Sequence, residues 1–233
     1  MSKKKTEKLK TYVDGLDENL KGGIPKNSVV LLAGPPGSMK SSLAFNILYN
    51  NALKEDKRSV YISLEETRDS LIDNMQGLEM DWNDVDRKMS ILDLGLIRSR
   101  VSEIENLDWI QVFKRYVKNL KKNINNEILV IDSLPVLNTM AEFNDPRREL
   151  FKFFEWLRGM KITTILVHET SLKDIEFSDA GEGFLSDGII HLEMQKKDTS
   201  LNLFLSVLKM RKTDHPRDYY PLIFEDGFEL VKS

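Results

Sequence analysis

The sequence has no cysteine and only three histidines among its 233 residues. The lack of cysteine excludes a disulfide scaffold and a thiolate-bound zinc ion. The histidines, which are His168, His191 and His215, do not have the spacing of metal ligands. A chain without cysteine also fits a reducing compartment, so we expect a cytoplasmic protein.

Long apolar runs are absent as well. A membrane-spanning helix needs about 18 consecutive apolar residues, whereas the densest stretch, Val29–Ala33, has five. No apolar segment follows the lysines at the start of the chain, which argues against a secretory signal. The 34 basic and 37 acidic residues give a net charge of −3, so nothing draws the whole protein to nucleic acid. We therefore expect no membrane span and no nucleic-acid partner.

Apolar strand-like runs alternate with amphipathic segments along most of the chain, which is typical of βαβ units and a mostly parallel sheet. Strands are predicted at residues 28–33, 59–64, 88–94, 127–132 and 162–168. Helices are predicted at 41–53, 67–77, 104–123 and 147–160. Near the end, only short turns separate the predicted strands 188–194, 201–210, 219–224 and 228–231. The pattern predicts an α/β fold in which helices flank a sheet that ends in antiparallel C-terminal hairpins.

The domain organisation is predicted to be simple. Residues 13–233 contain no internal repeat and no long Pro/Gly-rich linker, and their length suits one large domain. The first ten residues include five lysines. We therefore expect residues 1–12 to be a flexible, solvated N-terminus that precedes a single domain over 13–233.

A phosphate-binding loop is predicted where residues 28–42 read SVVLLAGPPGSMKSS. The sequence approximates G-x-x-x-x-G-K-[ST] between a strand and a helix, where backbone N–H groups and the helix N-terminus create an anion site. Lys40 is expected to reach the β- and γ-phosphates, and the Ser41 hydroxyl to hold Mg²⁺. The predicted nucleotide-binding residues of the loop are Gly34, Pro35, Pro36, Gly37, Ser38, Met39, Lys40, Ser41 and Ser42.

Met39 departs from the loop pattern, which has glycine just before the lysine. If this residue has positive φ, its side chain costs about 1–2 kcal/mol and strains the loop or weakens nucleotide binding. If its φ is ordinary, the methionine only narrows the approach to phosphate. The sequence leaves both possibilities open.

Carboxylates follow two of the predicted strands. The apolar run EILVIDS contains Asp132, which has the form of a Walker B aspartate that holds Mg²⁺ or a water bound to it. Glu65 and Glu66 follow the strand 59–64 and could orient or deprotonate the water that attacks the γ-phosphate. For Glu66 an equally good interpretation is that it begins the next helix, where acidic side chains are favourable.

These motifs, together with several others, resemble the KaiC-like branch of the RecA superfamily of P-loop ATPases. The resemblance covers nearly the whole chain after the first dozen residues. Its further motifs are Gly15–Asp17, Lys21–Lys26, Phe184–Ile190, Leu208–His215 and Asp218–Pro221. It implies a RecA-like P-loop NTPase core that assembles into a homo-oligomeric ring, which we predict to be a hexamer, with Mg²⁺ and ATP bound between subunits.

A basic motif on the predicted strand 201–210 is a candidate for a contact between subunits. Lys209 and Arg211 share one face of the strand, where two cations could neutralise charge on a transferring phosphoryl group. Spacing alone fits a solvated strand end better. The family resemblance instead implies that both residues reach the nucleotide of the adjacent subunit, with His215 near the same nucleotide.

Three functions are compatible with these observations. The first is a slowly hydrolysing ATPase that acts as a regulatory or signalling ring for an unidentified protein partner. The second is a subunit that binds ATP without turnover within a larger assembly, as some archaeal motility-motor components that resemble this family do. The third is a recombinase-like DNA-binding accessory protein. Segment 172–183 argues against DNA because it carries four carboxylates and one lysine.

Overall fold

The computed structural model describes residues 6–95, 108–141, 143, 145–169 and 182–231. Its strands are β1 (Lys8–Leu9), β2 (Ile24–Pro25), β3 (Val29–Gly34), β4 (Ser59–Ser63), β5 (Met89–Asp93), β6 (Ile128–Asp132), β7 (Thr163–Glu169), β8 (Gly188–Lys197), β9 (Ser200–Met210), β10 (Tyr220–Phe224) and β11 (Phe228–Leu230). Its helices are α1 (Leu16–Asn19), α2 (Lys40–Glu55), α3 (Arg68–Gln76), α4 (Trp109–Ile124), α5 (Leu134–Ala141), α6 (Pro146–Gly159) and α7 (Glu182–Leu185). A 3₁₀ turn forms at Trp82–Asp84.

Nine strands form one sheet in the order β11-β10-β9-β8-β3-β7-β6-β4-β5. Strands β8, β3, β7, β6, β4 and β5 pair in parallel, and β8 to β11 pair as antiparallel neighbours. The predicted α/β class, the mostly parallel sheet and its antiparallel C-terminal end are thus confirmed. β1 and β2 form a separate antiparallel pair.

Helices cover both faces of the sheet, so the parallel strands are buried on two sides, as their unbroken apolar runs require. The α2-side core contains buried side chains of β1, α2 and α3 and of one sheet face, including Leu9, Leu43, Leu71, Tyr61 and Val130. The α6-side core contains those of α4, α5 and α6 and of the other face, including Val117, Leu137, Phe153, Ile62 and Ile131.

The N-terminal segment differs from the sequence-based expectation of a flexible stretch up to residue 12. Within the described residues, Leu9 and Thr11 are 1% and 0% exposed, and Lys8–Leu9 pairs with Ile24–Pro25. The Asp17 carboxylate accepts hydrogen bonds from the backbone N–H groups of Thr11 and Tyr12. Residues 8–12 are therefore packed, because an apolar side chain and a cluster of hydrogen bonds hold a segment that looks polar overall.

The helices also differ from the prediction in two places. Helix α5 begins directly after the Asp132–Ser133 pair and was not predicted, since its eight residues are short for a periodic pattern. The helix predicted at 104–123 is seen from Trp109 to Ile124, and residues 104–107 lie outside the described part of the chain. Among the helices that the structure describes, none is long and apolar enough to cross a bilayer.

Candidate functional site

The parallel pairing brings the carboxyl ends of four strands together at one edge of the sheet, where ligands bind in open α/β sheets. Gly34 of β3 is paired with Glu169 of β7. Asp132 of β6 is paired with Ser63 of β4 on one side and with Val167 of β7 on the other. The predicted phosphate loop and the predicted metal-binding aspartate therefore lie at the same edge.

The loop from Gly34 to Lys40 follows β3 and leads into α2, and its two glycines serve different purposes. A Cβ at Gly34 would stand 2.6 Å from the Leu192 carbonyl oxygen, so no larger residue fits there. Gly37 has φ +77°, and a Cβ would meet nothing within 4 Å. The backbone thus faces open space at Gly37, as a loop that receives phosphate oxygens must.

Lys40 is the charged group of this loop and is only 7% exposed. Its Nζ donates a hydrogen bond to the Pro35 carbonyl oxygen at 2.7 Å, and the Ser38 hydroxyl donates to the same oxygen at 2.7 Å. Burial lowers the pKa of Lys40, and the carboxylates of Glu169, Asp132 and Glu65 partly offset this effect. Among the described residues, the hydrogen bond of this ammonium goes to a neutral carbonyl oxygen, and a phosphate would add a charged acceptor.

Met39 adopts the left-handed conformation, with φ 62° and ψ 24°, at the residue that precedes α2. Of the two possibilities that the sequence left open, the structure has the strained one. The partly buried side chain packs against the α2-side core. That packing offsets part of the conformational cost and gives a physical reason for methionine at a glycine-like position.

The metal-binding residues predicted from the sequence meet at the start of α2. Tyr61 Oη donates a hydrogen bond to Asp132 Oδ2 at 2.5 Å, and the Ser41 hydroxyl lies near the same pair. Burial raises the pKa of Asp132, while the hydrogen bond from Tyr61 and the nearby Ser41 hydroxyl act in the opposite direction. Ser42 lies beside Ser41 in the first turn of α2.

This donor set fits Mg²⁺. Mg²⁺ prefers hard oxygen ligands and binds through one or two protein groups together with water and substrate phosphates. A serine hydroxyl and a carboxylate beside a phosphate loop supply that chemistry. The described residues contain no group of three or more His, Cys, Asp or Glu side chains that could hold a metal by themselves.

The two adjacent glutamates point to different partners. Glu65 is exposed and accepts a hydrogen bond from the Ser133 hydroxyl, next to Asp132. Glu66 accepts from the Ser70 hydroxyl at 2.7 Å and from the Asn74 amide at 2.5 Å, both on α3. Of these two side chains, the structure brings Glu65 to the phosphate loop and commits Glu66 to the start of α3.

Lys209 and Arg211 lie at the opposite edge of the sheet. Met210 of β9 is paired with Gly188 of β8, which in turn is paired with Val30 near the amino end of β3. Gly34 is four residues further along β3, or about 13 Å at the usual rise per residue. The structure therefore does not bring Lys209, Arg211 or His215 to the loop of their own chain.

The surroundings of Lys209 and Arg211 are polar. Lys209 Nζ donates hydrogen bonds to the carbonyl oxygens of Gly183, Phe184 and Ser186 at 2.7–3.1 Å. Burial and the neighbouring Arg211 lower the pKa of Lys209 to about 8. Arg211 donates to the Asp187 carboxylate at 3.0 Å.

A cavity of about 210 Å³ opens beside these two residues. Its lining includes Lys209, Arg211, Thr213, Asp214, His215 and Arg217. Asp214 is the acidic residue of this lining, and its Oδ2 forms an ion pair with Lys21 Nζ at 2.7 Å. The cavity thus has a net positive lining.

Sequence reasoning missed three polar residues of these two regions. Tyr61 lies within an apolar strand, and nothing in the strand pattern marks its hydroxyl. Glu169 follows His168 at the end of β7. A carboxylate at the end of a predicted strand is the sequence feature that could have identified it. Asp187 binds Arg158, Arg211 and the Val29 N–H; burial alone would raise its pKa, but these partners lower it.

We predict that Met39→Gly is more stable than Met39→Ala. Both variants lose the packing of the methionine, but only alanine keeps a side chain at positive φ, so the difference is about 1 kcal/mol in favour of glycine. Urea unfolding of the two variants measures it. An alanine variant at least as stable as the glycine variant would contradict the strained conformation.

A second prediction concerns the pH dependence of stability without nucleotide or divalent cation. Because the folded state raises the pKa of Asp132, it binds this proton more tightly than the unfolded chain, and the resulting stabilisation is lost as pH rises through the folded pKa. Asp132→Asn does not titrate. Its free energy of unfolding relative to wild type should therefore increase as the pH rises above about 4, the ordinary pKa of an aspartate. A constant difference across a urea-unfolding series would refute the raised pKa.

Comparisons with known proteins agree with this geometry. A family model described as "ATPase: KaiC" matches residues 9–232. A UPF0273 protein of Pyrococcus horikoshii is 30% identical and aligns with 97% of this chain and 94% of its own length. A UPF0273 protein of Thermotoga maritima is 28% identical, with 97% of both chains covered.

A solved structure gives the same answer for the fold. The crystal structure of a KaiC-like protein from Pyrococcus horikoshii OT3 superposes with a TM-score of 0.83 and 30% identity, over 97% of this chain and all of the other. That match confirms the RecA-like P-loop fold that the motifs predicted. The family match, the relatives and the fold all lead to one conclusion: the chain belongs to the KaiC-like ATPase family.

Proposed function

We propose that this protein is a Mg²⁺-dependent ATPase that works as a homo-oligomeric ring, with each nucleotide bound between two subunits. One subunit contributes the phosphate loop, Ser41 and Asp132, and its neighbour contributes Lys209, Arg211 and His215. We expect hydrolysis to be slow. We also expect the protein to signal its nucleotide state to a protein partner. The ring size, predicted as six, and the cytoplasmic location remain predictions.

The observation that carries this proposal is the position of Lys209 and Arg211 at the sheet edge opposite the phosphate loop. Cations that stabilise a transferring phosphoryl group must touch it. Within one chain these two cannot, since the length of β3 separates them from Gly37 and Lys40. A second copy, placed with this edge against the first copy's loop, brings both sets of residues to one nucleotide.

The electrostatics of the cavity beside Lys209 support the same arrangement. Lys209 has a pKa lowered to about 8, with burial as the main cause and Arg211 as a further one. Among the described residues, Arg211 is paired with the Asp187 carboxylate, whereas the hydrogen bonds of the Lys209 ammonium go to backbone carbonyl oxygens. An approaching phosphate would relieve both the burial cost and the repulsion between the two cations.

Each residue of the phosphate-loop edge has a chemical role in this proposal. Mg²⁺ supplies charge neutralisation on the phosphates when bound, and Ser41 and Asp132 would hold it. The backbone at Gly37 and the Lys40 ammonium bind phosphate oxygens. Glu65 orients the attacking water and accepts its proton, with its carboxylate fixed by the Ser133 hydroxyl.

A nucleotide-sensing subunit without turnover is a second candidate. Two observations favour it: the strained Met39 in the loop and the internal hydrogen bond from Lys40 to Pro35. Both make it harder for the loop to rearrange during phosphoryl transfer, which would slow turnover. Tight ATP binding without phosphate release above background would support this candidate over the first.

The DNA-binding candidate has less support. Segment 172–183, on which its sequence argument depends, lies outside the described residues except for 182 and 183. Lys114 of α4 lies close to Lys118 and Lys152, but Glu149 and Asp108 share the site. That mixture of charges does not form a track for a phosphate backbone.

We predict that Glu65→Gln lowers the turnover number by about 100-fold or more, the usual size of a general-base contribution. Glu66→Gln is the matched control, because a glutamine oxygen can still accept from Ser70 and Asn74. It should stay within about threefold of wild type. Phosphate release at saturating Mg²⁺–ATP measures both, with nucleotide binding checked by equilibrium titration. A larger loss for the Glu66 variant would reverse the assignment.

We predict that Lys209→Ala/Arg211→Ala abolishes ATP turnover while each subunit still binds nucleotide through its own loop. The double variant removes only groups that lie far from the phosphate loop of the same chain. Phosphate release and solution mass are measured together, in the presence of ATP. The control is Lys118→Ala/Lys122→Ala, which removes two exposed lysines of α4 and should leave turnover and mass unchanged.

Two results would count against the proposal. A wild-type protein that stays monomeric at all nucleotide concentrations would refute the shared site. Full turnover by the Lys209→Ala/Arg211→Ala variant would show that neither cation acts on the phosphoryl group.

A further inference from the structure

Tyr61 is buried directly beneath the predicted metal site. It is 0% exposed, and its ring lies 6.0 Å from that of Phe45 on α2. In the sheet it is paired with Val130, two residues before Asp132 on the same face of β6. This diagonal relation lets the tyrosine ring span the distance to the aspartate, which is within reach of aromatic side chains in paired strands.

The Tyr61 hydroxyl is bonded to the aspartate that would hold the metal. It donates to Asp132 Oδ2 at 2.5 Å, and the Ser41 hydroxyl lies near both groups and acts to lower their pKa values. Since the phenol proton goes to the aspartate, the hydrogen bond fixes the position of that carboxylate oxygen.

We propose that Tyr61 is a positioning residue that sets the orientation of Asp132, beside Ser41, for Mg²⁺. This inference rests on the proposed Mg²⁺–nucleotide site and adds a residue to it. The hydroxyl fixes one carboxylate oxygen, which leaves the other for the metal or a water bound to it. Outer partners of this kind typically account for about 10- to 100-fold of metal affinity.

The ring and the hydroxyl of Tyr61 have separable roles. The ring fills the α2-side core beside Phe45, and phenylalanine would fill the same space. Tyr61→Phe therefore removes the hydrogen bond and keeps the packing. A merely structural role would affect stability alone, whereas a positioning role changes the amount of Mg²⁺ needed.

The chain offers a matched control in Tyr49. Tyr49 also packs on Phe45, with ring centroids 6.5 Å apart, and its hydroxyl also donates to a carboxylate, that of Asp84 at 3.1 Å. That carboxylate is not part of the predicted metal site. Tyr49→Phe removes a tyrosine–aspartate hydrogen bond beside the same Phe45 ring and leaves Ser41 and Asp132 unchanged.

The test is a Mg²⁺ titration of each protein mixed with a fluorescent ATP analogue, with analogue binding as the readout. We expect Tyr61→Phe to raise the Mg²⁺ midpoint about tenfold or more, and to leave the affinity for the analogue in EDTA within about twofold of wild type. Tyr49→Phe should match wild type in both. Circular dichroism confirms that the variants are folded.

Three other outcomes would overturn the inference. A wild-type-like Mg²⁺ midpoint in folded Tyr61→Phe would refute it and leave the proposed function intact. An equal shift of the Mg²⁺ midpoint in both tyrosine variants would show that the effect comes from core packing. No Mg²⁺ dependence of analogue binding in the wild type would refute the inference together with the proposed metal site.

Discussion

The parallel register of β3 with β7 and β8 determines where the two groups of candidate site residues lie. It places Gly34, Glu169 and Asp132 at one edge of the sheet. Through the antiparallel return of β9 it places Lys209 and Arg211 at the other edge. Because side chains cannot span the length of a strand, the two groups of residues cannot reach one nucleotide within one chain. In the proposed function they are two half-sites, which an assembly of subunits would join.

Each half-site carries an electrostatic cost in the isolated chain. Burial lowers the pKa of Lys40 and of Lys209 and raises that of Asp132. Groups that are buried without a full set of charged partners destabilise the fold, and natural proteins retain them where a ligand supplies the missing charge. A nucleotide with Mg²⁺ would supply phosphate to both lysines and a cation to the aspartate. Binding and assembly should thus stabilise the same groups that folding leaves unsatisfied.

Much of the fold could be predicted from the sequence, because the buried strands are continuous apolar runs and the helices between them are amphipathic. The bounds of β4 and β6 differ from prediction by one residue. Helix α5 and the packing of Leu9 were not predicted, since a short helix and a two-residue strand leave no periodic signal. The loop could be placed from Lys40, Ser41 and its strand–helix context, but the φ of Met39 could not, because the sequence is compatible with both conformations at that residue.

The contacts between side chains at the site were harder to predict from the sequence. Adjacent acidic residues gave no basis for choosing between Glu65 and Glu66, which the structure separates through Ser133 and Asn74. The role of Tyr61 depends on a diagonal contact between two strands, which sequence spacing does not reveal. The position of Lys209 and Arg211 relative to the loop required the strand order as well as the motif.

The most direct test of the shared site is subunit mixing. One protein carries Glu65→Gln/Glu66→Gln, which keeps Lys209 and Arg211. The other carries Lys209→Ala/Arg211→Ala, which keeps both glutamates. Each alone should be inactive, and after subunit exchange an equal mixture should recover up to about a quarter of wild-type turnover, because random assembly makes that share of interfaces complete. Exchange confirmed by solution mass of labelled subunits without recovered phosphate release would contradict the account.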